Sequence, residues 1–243
     1  MDKEINYIGK CLLIENNEGK KSLVIGDLHI GYEESLNERG VFISRRMFDE
    51  GIDYLNRVFA KTGKVDKIIL LGDVKHEFGK ILRQEWKEVF ELIDYFREKL
   101  GEGGEIIIVK GNHDKILGAV VGKKGIEIVD YFIDGEFAFL HGDRDFEEIH
   151  DSGVRYWIVG HGHPAVRIGD GTKVENYKCF LVGKFKGKEV VVVPSFFEGI
   201  VGSDVRENEL GLVWDFDYDK FRVMAVGGGF EVLDFGLLGE MEV

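Results

Sequence analysis

The sequence predicts an α/β fold in which two facing mixed β-sheets are flanked by helices. Three observations lead to this prediction: short apolar runs typical of buried strands, amphipathic segments between the first of these runs, and paired β-rich runs in the last third of the 243-residue chain. Strands that alternate with helices are typical of a layered α/β protein, and paired runs with short connections indicate antiparallel hairpins.

The first part of the chain alternates predicted strands with predicted helices. Each predicted strand is apolar enough to be buried on both faces. These strands are Ser22–Ile25, Lys67–Leu71, Glu105–Val109, Phe137–Leu140 and Tyr156–Val159. Two segments between the earlier strands, Arg46–Lys61 and Gln84–Leu100, have the apolar period of helices that pack against a sheet.

After Ala165 the sequence contains mainly strand-like runs and turns. We predict two hairpins there, which pair Tyr177–Lys184 with Glu189–Pro194 and Leu210–Phe216 with Lys220–Val226. Their connections, Phe185–Lys188 and Asp217–Asp219, are short enough for tight turns. We expect these hairpins to complete the second sheet.

Composition favours a single domain over residues 1–243, because the chain has only two prolines, no low-complexity stretch and no segment that resembles a linker. The formal net charge of −13 argues against broad electrostatic binding to nucleic acid, so any such contact must be local. The two cysteines, Cys11 and Cys179, match neither a disulfide framework nor a zinc ribbon.

The first ten residues, MDKEINYIGK, are acidic and lack the apolar core of a secretory signal. No apolar run approaches the roughly 20 residues that a membrane span requires. We therefore expect a cytoplasmic protein that makes no contact with membranes.

Polar clusters of metal-ligand type follow directly after the five predicted strands. They are Gly26-Asp27-Leu28-His29, Gly72-Asp73-Val74-Lys75-His76, Gly111-Asn112-His113-Asp114, His141-Gly142-Asp143 and Gly160-His161-Gly162-His163. The carboxyl ends of neighbouring strands in α/β sheets converge on one crevice, so residues distant in sequence can meet there. Six of the seven histidines belong to these clusters. Histidines that were simply distributed over the surface would not be concentrated after the predicted strands.

The ligand types narrow the choice of metal. Carboxylate, imidazole and one amide carbonyl, without thiolate, suit Mn²⁺, Fe, Zn²⁺ or Ni²⁺ better than a structural zinc site or an all-oxygen Ca²⁺ site. The seven candidate ligands are Asp27, His29, Asp73, Asn112, His141, His161 and His163. Seven ligands are too many for one ion, whereas two ions that share a carboxylate would use them all.

Taken together, the five motifs resemble the calcineurin-like metallophosphoesterase superfamily, whose ordered motifs are Asp-x-His, Gly-Asp, Gly-Asn-His-Asp/Glu, His and Gly-His-x-His. The contexts Asp27-Leu28-His29-Ile30-Gly31 and His161-Gly162-His163-Pro164 are similar to its small SbcD-related, DNA-ligase-associated branch. This resemblance implies a four-layer α-β-β-α sandwich and a centre with two divalent metal ions, for which we expect Mn²⁺, with Zn²⁺, Fe and Ni²⁺ as alternatives.

The resemblance also implies a role for each matching residue. One metal ion would be held by Asp27, His29 and His163, and the other by Asn112, His141 and His161. Asp73 would bridge the two ions. The catalytic residues would be His113, which donates a proton to the leaving oxygen, and Asp114, which orients His113.

The function that this resemblance implies is hydrolysis of phosphodiester bonds by a hydroxide that bridges the two metals. Candidate substrates are single-stranded or damaged DNA, which would make the protein a repair nuclease, and cyclic nucleotides. Phosphomonoester hydrolysis is the alternative reaction. A non-catalytic interaction scaffold is a third possibility, but scaffold relatives of this fold lack key ligands and none is missing here.

Three further residues are candidates for substrate binding. His76 follows Asp73 by three residues and could face the substrate, position a ligand or begin a solvated loop. Arg45 and Arg46 could meet phosphate oxygens near the crevice. The alternative for these two arginines is a solvated face of mixed charge.

Overall fold

A computed structural model describes residues 5–16, 18–80, 82–169, 173–199 and 201–241. Its first sheet has six strands that are adjacent in the order of the sequence. They are β1 (Ile5–Ile8), β2 (Cys11–Glu15), β3 (Lys21–Ile25), β4 (Val65–Leu70), β5 (Leu100–Val109) and β6 (Ile128–Val129). The first three strands pair in antiparallel fashion, and β3 to β6 are parallel, so the sheet is mixed.

The second sheet contains the remaining strands. They are β7 (Phe132–Asp134), β8 (Phe137–Leu140), β9 (Tyr156–Val159), β10 (Pro164–Gly169), β11 (Val174–Phe185), β12 (Lys188–Val192), β13 (Ser203–Asp204), β14 (Arg222–Val226) and β15 (Val232–Leu237). Their order is β13-β10-β11-β12-β9-β8-β7, and β14 pairs with both β11 and β15. The central strands β8, β9 and β12 are parallel to one another, whereas β11 is antiparallel to its neighbours.

The helices are α1 (Tyr32–Glu38), α2 (Met47–Thr62), α3 (Arg83–Lys99) and α4 (Leu117–Val121). Short 3-10 turns cover Gly122–Lys124, Glu147–His150, Tyr218–Lys220 and Leu238–Glu240. The first turn of α2 is held by a residue distant in sequence, because the backbone N–H groups of Arg46 and Met47 donate to the carboxylate of Glu33 at 2.9 and 3.0 Å. Within the described ranges, no helix has the length and hydrophobicity needed to cross a bilayer.

The apolar core has three parts. The middle part lies between the two sheets and joins residues such as Val24 and Ile69 of the first sheet to Ile158 and Phe180 of the second. A second part packs α2, α3 and α4 against the outer face of the first sheet. The third part covers the outer face of the second sheet with residues of the 3-10 turns and of the irregular segment 205–221. The predicted fold class, two mixed sheets flanked by helices, is thus confirmed.

The predicted strand Leu210–Phe216 is wrong, because this segment is irregular. Its alternating apolar side chains do face the core, and Leu210, Trp214 and Phe216 are all buried. Its predicted hairpin partner, β14, has no free side, since β14 pairs with β11 on one side and with β15 on the other. Side-chain alternation therefore indicated the buried face correctly but not the hydrogen-bond partner.

Candidate metal centre

The five polar clusters meet where the two sheets present the carboxyl ends of their parallel strands. Three of the clusters follow β3, β4 and β5 of the first sheet, and two follow β8 and β9 of the second. All seven predicted ligands lie in this one place. The parallel pairing of β3 with β4, β4 with β5 and β8 with β9 brings these loops together, as expected for strand ends in α/β proteins.

One group of ligand atoms comes from Asp27, His29 and His163. Their candidate donor atoms all lie within 4.8 Å of one another. The Nε2 atom of His163 is 3.3 Å from Oδ1 of Asp27 and 3.4 Å from Nε2 of His29. Two imidazole nitrogens and a carboxylate oxygen that converge in this way form three sides of a cation site.

The second group is formed by Asp73, His141 and His161, whose donor atoms also lie within 4.8 Å of one another. The Nε2 atom of His141 is 3.0 Å from Nδ1 of His161 and 3.6 Å from Oδ2 of Asp73. Asn112 joins this group, because its Oδ1 lies 3.0 Å from the same His141 nitrogen. The other ring nitrogen of His141 contacts the Leu71 carbonyl at 2.8 Å, which leaves Nε2 directed at the group.

Asp73 contacts both groups. Its Oδ2 atom lies 4.0 Å from Nε2 of His29 in the first group and 3.6 Å from Nε2 of His141 in the second. Its other oxygen, Oδ1, accepts a hydrogen bond from the backbone N–H of His113 at 2.9 Å. The carboxylate is therefore fixed by one oxygen and offers the second to both groups.

The backbone is strained at four of the seven predicted ligands. His29, Asp73, His161 and His163 have φ values of 44°, 45°, 62° and 43°, in the left-handed region that side chains other than glycine rarely adopt. Each such residue costs about 1–3 kcal/mol, and strain of this kind concentrates at functional sites. Backbone bonds hold the strained loops, since the N–H of His29 donates to the carbonyl of Asp73 at 2.9 Å.

Gly111 is required by the close packing of the two loops that follow β4 and β5. A Cβ atom at this position would lie 2.2 Å from Oδ1 of Asp73 and 2.3 Å from the Asp73 backbone nitrogen. Any side chain would therefore displace Asp73 from its position between the two groups.

The electrostatics of the site fit a bound cation. Asp27 and Asp73 are both buried, and burial raises the pKa of Asp73 above its ordinary value. Burial would raise the pKa of Asp27 too, but the neighbouring His163 and His141 hold it below its usual range. Burial lowers the pKa of His29 to about 2, which leaves a neutral imidazole, the form that binds metals.

A buried polar atom without a partner supports the same conclusion. Oδ1 of Asp27 is buried and has no hydrogen-bond donor within the described part of the chain, although the other oxygen accepts from the backbone N–H of His161 at 3.0 Å. Buried carboxylate oxygens are rarely left unsatisfied in proteins. Oδ1 of Asp27 faces His163 and His141, so a cation among these atoms would satisfy it. The donor set therefore suits a divalent metal ion.

His113 lies beside the ligands, as expected for a proton donor. The prediction that the carboxylate of Asp114 orients its ring is wrong. The Nε2 atom of His113 is 3.8 Å from Oδ2 of Asp73. Its Nδ1 atom contacts the backbone carbonyl of His76, not the carboxylate of Asp114. The Asp114 carboxylate instead accepts bonds from the backbone N–H groups of Gly111 at 3.0 Å and Val74 at 3.1 Å. It is directed into the loops beneath the site, where backbone donors satisfy it.

The three predicted substrate-binding residues have different surroundings. The ring of His76 lies next to the site, with its centroid 5.5 Å from that of His29 and 5.6 Å from that of His113. Arg45 forms an ion pair with Glu34 of α1, and no described contact brings it to the ligands. The backbone N–H of Arg46 caps α2 through Glu33, as described above. Only His76 is brought to the site by a described contact.

Two residues that the sequence did not indicate contact the site. The ring of Phe78 stacks on that of His113 with a centroid distance of 3.5 Å and a tilt of 33°. Phe197 donates its backbone N–H to the carbonyl of Asp27 at 3.1 Å, and its ring lies 5.7 Å from that of His29. Phe78 follows His76 by two residues, so its proximity could have been inferred; Phe197 follows a different strand and carries no such signal.

Comparison with solved structures gives matches of low sequence identity. A crystal structure of the Pseudomonas putida nuclease MPE has 17% identity and a TM-score of 0.61, with 96% of this chain and 100% of that chain covered. A Vps29 single mutant from Entamoeba histolytica has 18% identity and a TM-score of 0.39, with 88% and 99% covered. No curated protein sequence gave a significant match.

Residues 20–178, which are more than half of the chain, match the calcineurin-like phosphoesterase family. This range contains all five polar clusters. Family membership and the His and Asp groups placed to bind metal together support metal-dependent hydrolysis of phosphoesters. The chain therefore belongs to the calcineurin-like phosphoesterase family.

Proposed function

We propose that the protein hydrolyses phosphodiester bonds at a centre of two divalent metal ions. The observation that carries this proposal is the position of Asp73, whose Oδ2 atom lies within about 4 Å of a ligand nitrogen in each group and of Nε2 of His113. A shared carboxylate between two ligand groups suits a pair of metal ions, which can stabilise both the attacking and the leaving oxygen of an in-line displacement at phosphorus. The proton donor beside it suits protonation of the leaving oxygen.

The proposed ligands divide three and three around Asp73. Asp27, His29 and His163 would hold one ion, and Asn112, His141 and His161 the other. When bound, the two ions would attract the phosphate in an otherwise acidic protein and lower the pKa of a water molecule. Mn²⁺ is our first candidate, with Zn²⁺, Fe and Ni²⁺ as alternatives, because the ligands are oxygen and imidazole nitrogen.

His113 is the proposed proton donor. The carbonyl of His76 fixes its Nδ1 atom, so Nε2 faces the site on the side of Asp73. A departing alkoxide is a strong base and needs a proton, which Nε2 of the imidazolium would supply. Asp114 supports this role indirectly, because it holds the loop that carries Asn112 and His113.

The proposal favours diesters over monoesters because the site has no cap on the side of residues 115–140. All of these residues are described, and they form α4, a 3-10 turn, the strands β6, β7 and β8 and the short connections between them. A crevice without a cap there admits long or bulky substrates. The relative from Pseudomonas putida is a nuclease, so single-stranded DNA belongs among the candidates together with cyclic nucleotides.

The test is turnover after reconstitution with Mn²⁺, Zn²⁺, Fe²⁺ or Ni²⁺ on bis(p-nitrophenyl) phosphate, p-nitrophenyl phosphate, a cyclic nucleotide and single-stranded DNA. We expect faster hydrolysis of the diester than of the monoester with at least one metal. Faster monoester hydrolysis with every metal would contradict the proposed substrate class.

Two variants test the proposed roles on the same substrates. Asp73→Ala should lose both bound metal and turnover. His113→Ala should lower turnover of the cyclic nucleotide and single-stranded DNA, whose alkoxide leaving groups need a proton, by about 10²–10⁴-fold, which is the usual contribution of a general acid. The loss on the nitrophenyl esters should be smaller, and bound metal should be largely retained. The control is His150→Ala, since His150 bonds to Asp145 at 2.9 Å outside the site and should leave both properties unchanged. Wild-type turnover by Asp73→Ala on any of the substrates, or by His113→Ala on the cyclic nucleotide and single-stranded DNA, would refute the assigned role.

A further inference from the structure

A short loop after β4 contacts His113 on two sides. This His76 loop comprises residues 76–80. The carbonyl of His76 meets the Nδ1 atom of His113, and the ring of Phe78 covers one face of the imidazole at a centroid distance of 3.5 Å. The orientation of His113 therefore depends on where the backbone of this loop lies.

Glu85, near the start of α3, holds the backbone of the His76 loop. Its Oε1 atom accepts hydrogen bonds from the N–H groups of His76 at 2.9 Å and Glu77 at 3.0 Å. Its Oε2 atom accepts from the N–H of Leu82 at 3.0 Å, which caps the first turn of the helix. Glu85 is completely buried, so both oxygens are bonded away from solvent.

The surroundings of Glu85 are arranged for a buried carboxylate. Gly31 packs against it so closely that a Cβ atom there would lie 2.9 Å from both Cβ and Cγ of Glu85. Lys75 is also completely buried, and its ammonium group donates to the carbonyl of Glu77. Burial raises the pKa of Glu85, while the backbone hydrogen bonds and the charge of Lys75 act in the opposite direction. The loop is thus held at Glu77 through both the N–H and the carbonyl.

We propose that Glu85 is a positioning residue for His113 and acts through the His76 loop. Its carboxylate fixes the peptide that carries the His76 carbonyl, and this carbonyl holds the proton on Nδ1 of His113. Nε2 is then directed towards Asp73 and the leaving oxygen. This inference rests on the proposed function, because it assigns to His113 the role of proton donor. The role proposed for Glu85 goes beyond capping α3, because a helix cap would need only the hydrogen bond to the N–H of Leu82.

The test compares Glu85→Gln with the wild-type enzyme on two diesters, methyl p-nitrophenyl phosphate and methyl phenyl phosphate. The amide keeps one acceptor oxygen but turns a donor towards one of the N–H groups, so the loop should shift. Phenolate is the more basic leaving group and depends more on a proton donor. Glu85→Gln should therefore lower kcat for the phenyl ester by at least about fivefold and for the nitrophenyl ester by less than about twofold.

The matched control is Glu88→Gln. Glu88 is a second buried carboxylate of α3, but it accepts a bond from the side chain of Gln84 at 2.7 Å on the same helix. Its replacement should change the rates on the two diesters equally or not at all. Bound metal should be the same in wild type and in both variants.

A double-mutant cycle separates positioning from general stabilisation. In the His113→Ala background, Glu85→Gln should have no further effect on kcat for the phenyl ester, because the group that it positions is gone. A loss of similar size on both diesters, or one that persists without His113, would overturn the proposal. An enzyme that hydrolyses neither diester would instead contradict the proposed function itself.

Phe78→Ala provides a test that does not disturb the core. Its ring is about half exposed, so the variant should fold even if Glu85→Gln does not. Removing the ring frees one face of His113 and should also slow the phenyl ester more than the nitrophenyl ester. If the rate of Phe78→Ala relative to wild type is the same on the phenyl ester as on the nitrophenyl ester, the His76 loop does not position His113.

Discussion

Asp114 lies beneath the metal centre and joins two of the loops that form it. Its buried carboxylate accepts bonds from the N–H groups of Gly111 after β5 and Val74 after β4. The first of these loops carries Asn112 and the second follows Asp73. Three residues of one short motif thus do different work: a ligand candidate, a proton-donor candidate and an anchor for the backbone.

Asp114→Ala should destabilise the protein by about 2 kcal/mol or more, because it removes the acceptor of three backbone N–H groups, those of Gly111, Val74 and Lys75. Unfolding in urea would measure the loss. Calorimetric titration with Mn²⁺ should show weaker binding, since the loops that carry Asp73 and Asn112 are no longer joined. The control is Asp130→Ala, which removes only an exposed ion pair with Arg144. Unchanged stability of Asp114→Ala would show that other contacts hold these loops.

The sequence was sufficient to indicate which polar residues meet, but not all of their contacts. Residue types at the ends of predicted strands placed the seven ligand candidates together. Adjacency in sequence suggested that Asp114 contacts His113, yet the side chain points to backbone donors. The true partner of His113 is a backbone carbonyl, which carries no sequence signal, and Glu85 resembles an ordinary helix-capping glutamate.

At the scale of elements, the segment after β12 is connected to the site through a half-buried lysine of β11. The ammonium group of Lys178 donates to the carbonyl of Ser195 at 3.0 Å and to its hydroxyl at 2.8 Å, and it also contacts the carbonyl of Phe197. Phe197 in turn donates its N–H to the carbonyl of Asp27. The second sheet thereby supports a ligand candidate of the first sheet.

Lys178→Met should loosen residues 195–199, because it removes every donor of this ammonium group. The amide of Phe197 should exchange with solvent faster, which hydrogen exchange would detect. Stability should fall by about 1–3 kcal/mol, since the carbonyls of Ser195 and Phe197 lose their donor. Lys184→Met is the control on the same strand, because Lys184 is exposed and pairs only with Glu189. Unchanged exchange at Phe197 would exclude this support.

The elements that the sequence predicted well are those with a strong apolar pattern. The helices α2 and α3 and four of the five buried strands were found close to their predicted bounds. The fifth, β5, begins at Leu100, five residues before the predicted start at Glu105. β15 had no such pattern, since most of its residues are exposed or half-buried. Leu210–Phe216 has the apolar alternation of a strand but does not pair with another strand. Pairing depends on which strand has a free side, and the local sequence contains no information about that.

For the whole molecule, the site is a junction between the two sheets. Asp27, Asp73 and Asn112 follow strands of the first sheet, whereas His141 and His161 follow strands of the second. Ions held by both sets would join the sheets at this edge. Since anything that binds only the folded state stabilises it, at a hundredfold excess over Kd the bound metal should contribute about 2.7 kcal/mol per site.

The pH dependence of the metal-free protein follows from the raised pKa of Asp73. The unfolded chain ionises this carboxyl at about pH 4, while the folded chain keeps it protonated to a higher pH. Stability from this group is therefore lost as pH rises above about 4, until the raised pKa is passed. The pKa of Asp27 is lowered, so its contribution is lost only as pH falls below the ordinary range. Buried His29 and half-buried His161, whose pKa values are lowered by burial, oppose the trend of Asp73 below about pH 6.5. His141, whose pKa Asp27 and Asp73 raise against the effect of burial, adds to the trend of Asp73 above that pH.

Removing metal by chelation should therefore lower Tm more at about pH 8 than at about pH 5, because ion binding must displace the proton of Asp73 at the lower pH. Thermal unfolding with and without Mn²⁺ at both values would measure the difference. In Asp73→Asn position 73 cannot ionise, so the fall in metal-free stability above about pH 6.5 should become smaller. The remainder comes from His141, whose pKa Asp27 still raises against the effect of burial. If that fall is as large in Asp73→Asn as in the wild type, Asp73 does not cause it. A metal effect on Tm that is equal at the two pH values would show that Asp73 is already ionised in the metal-free fold.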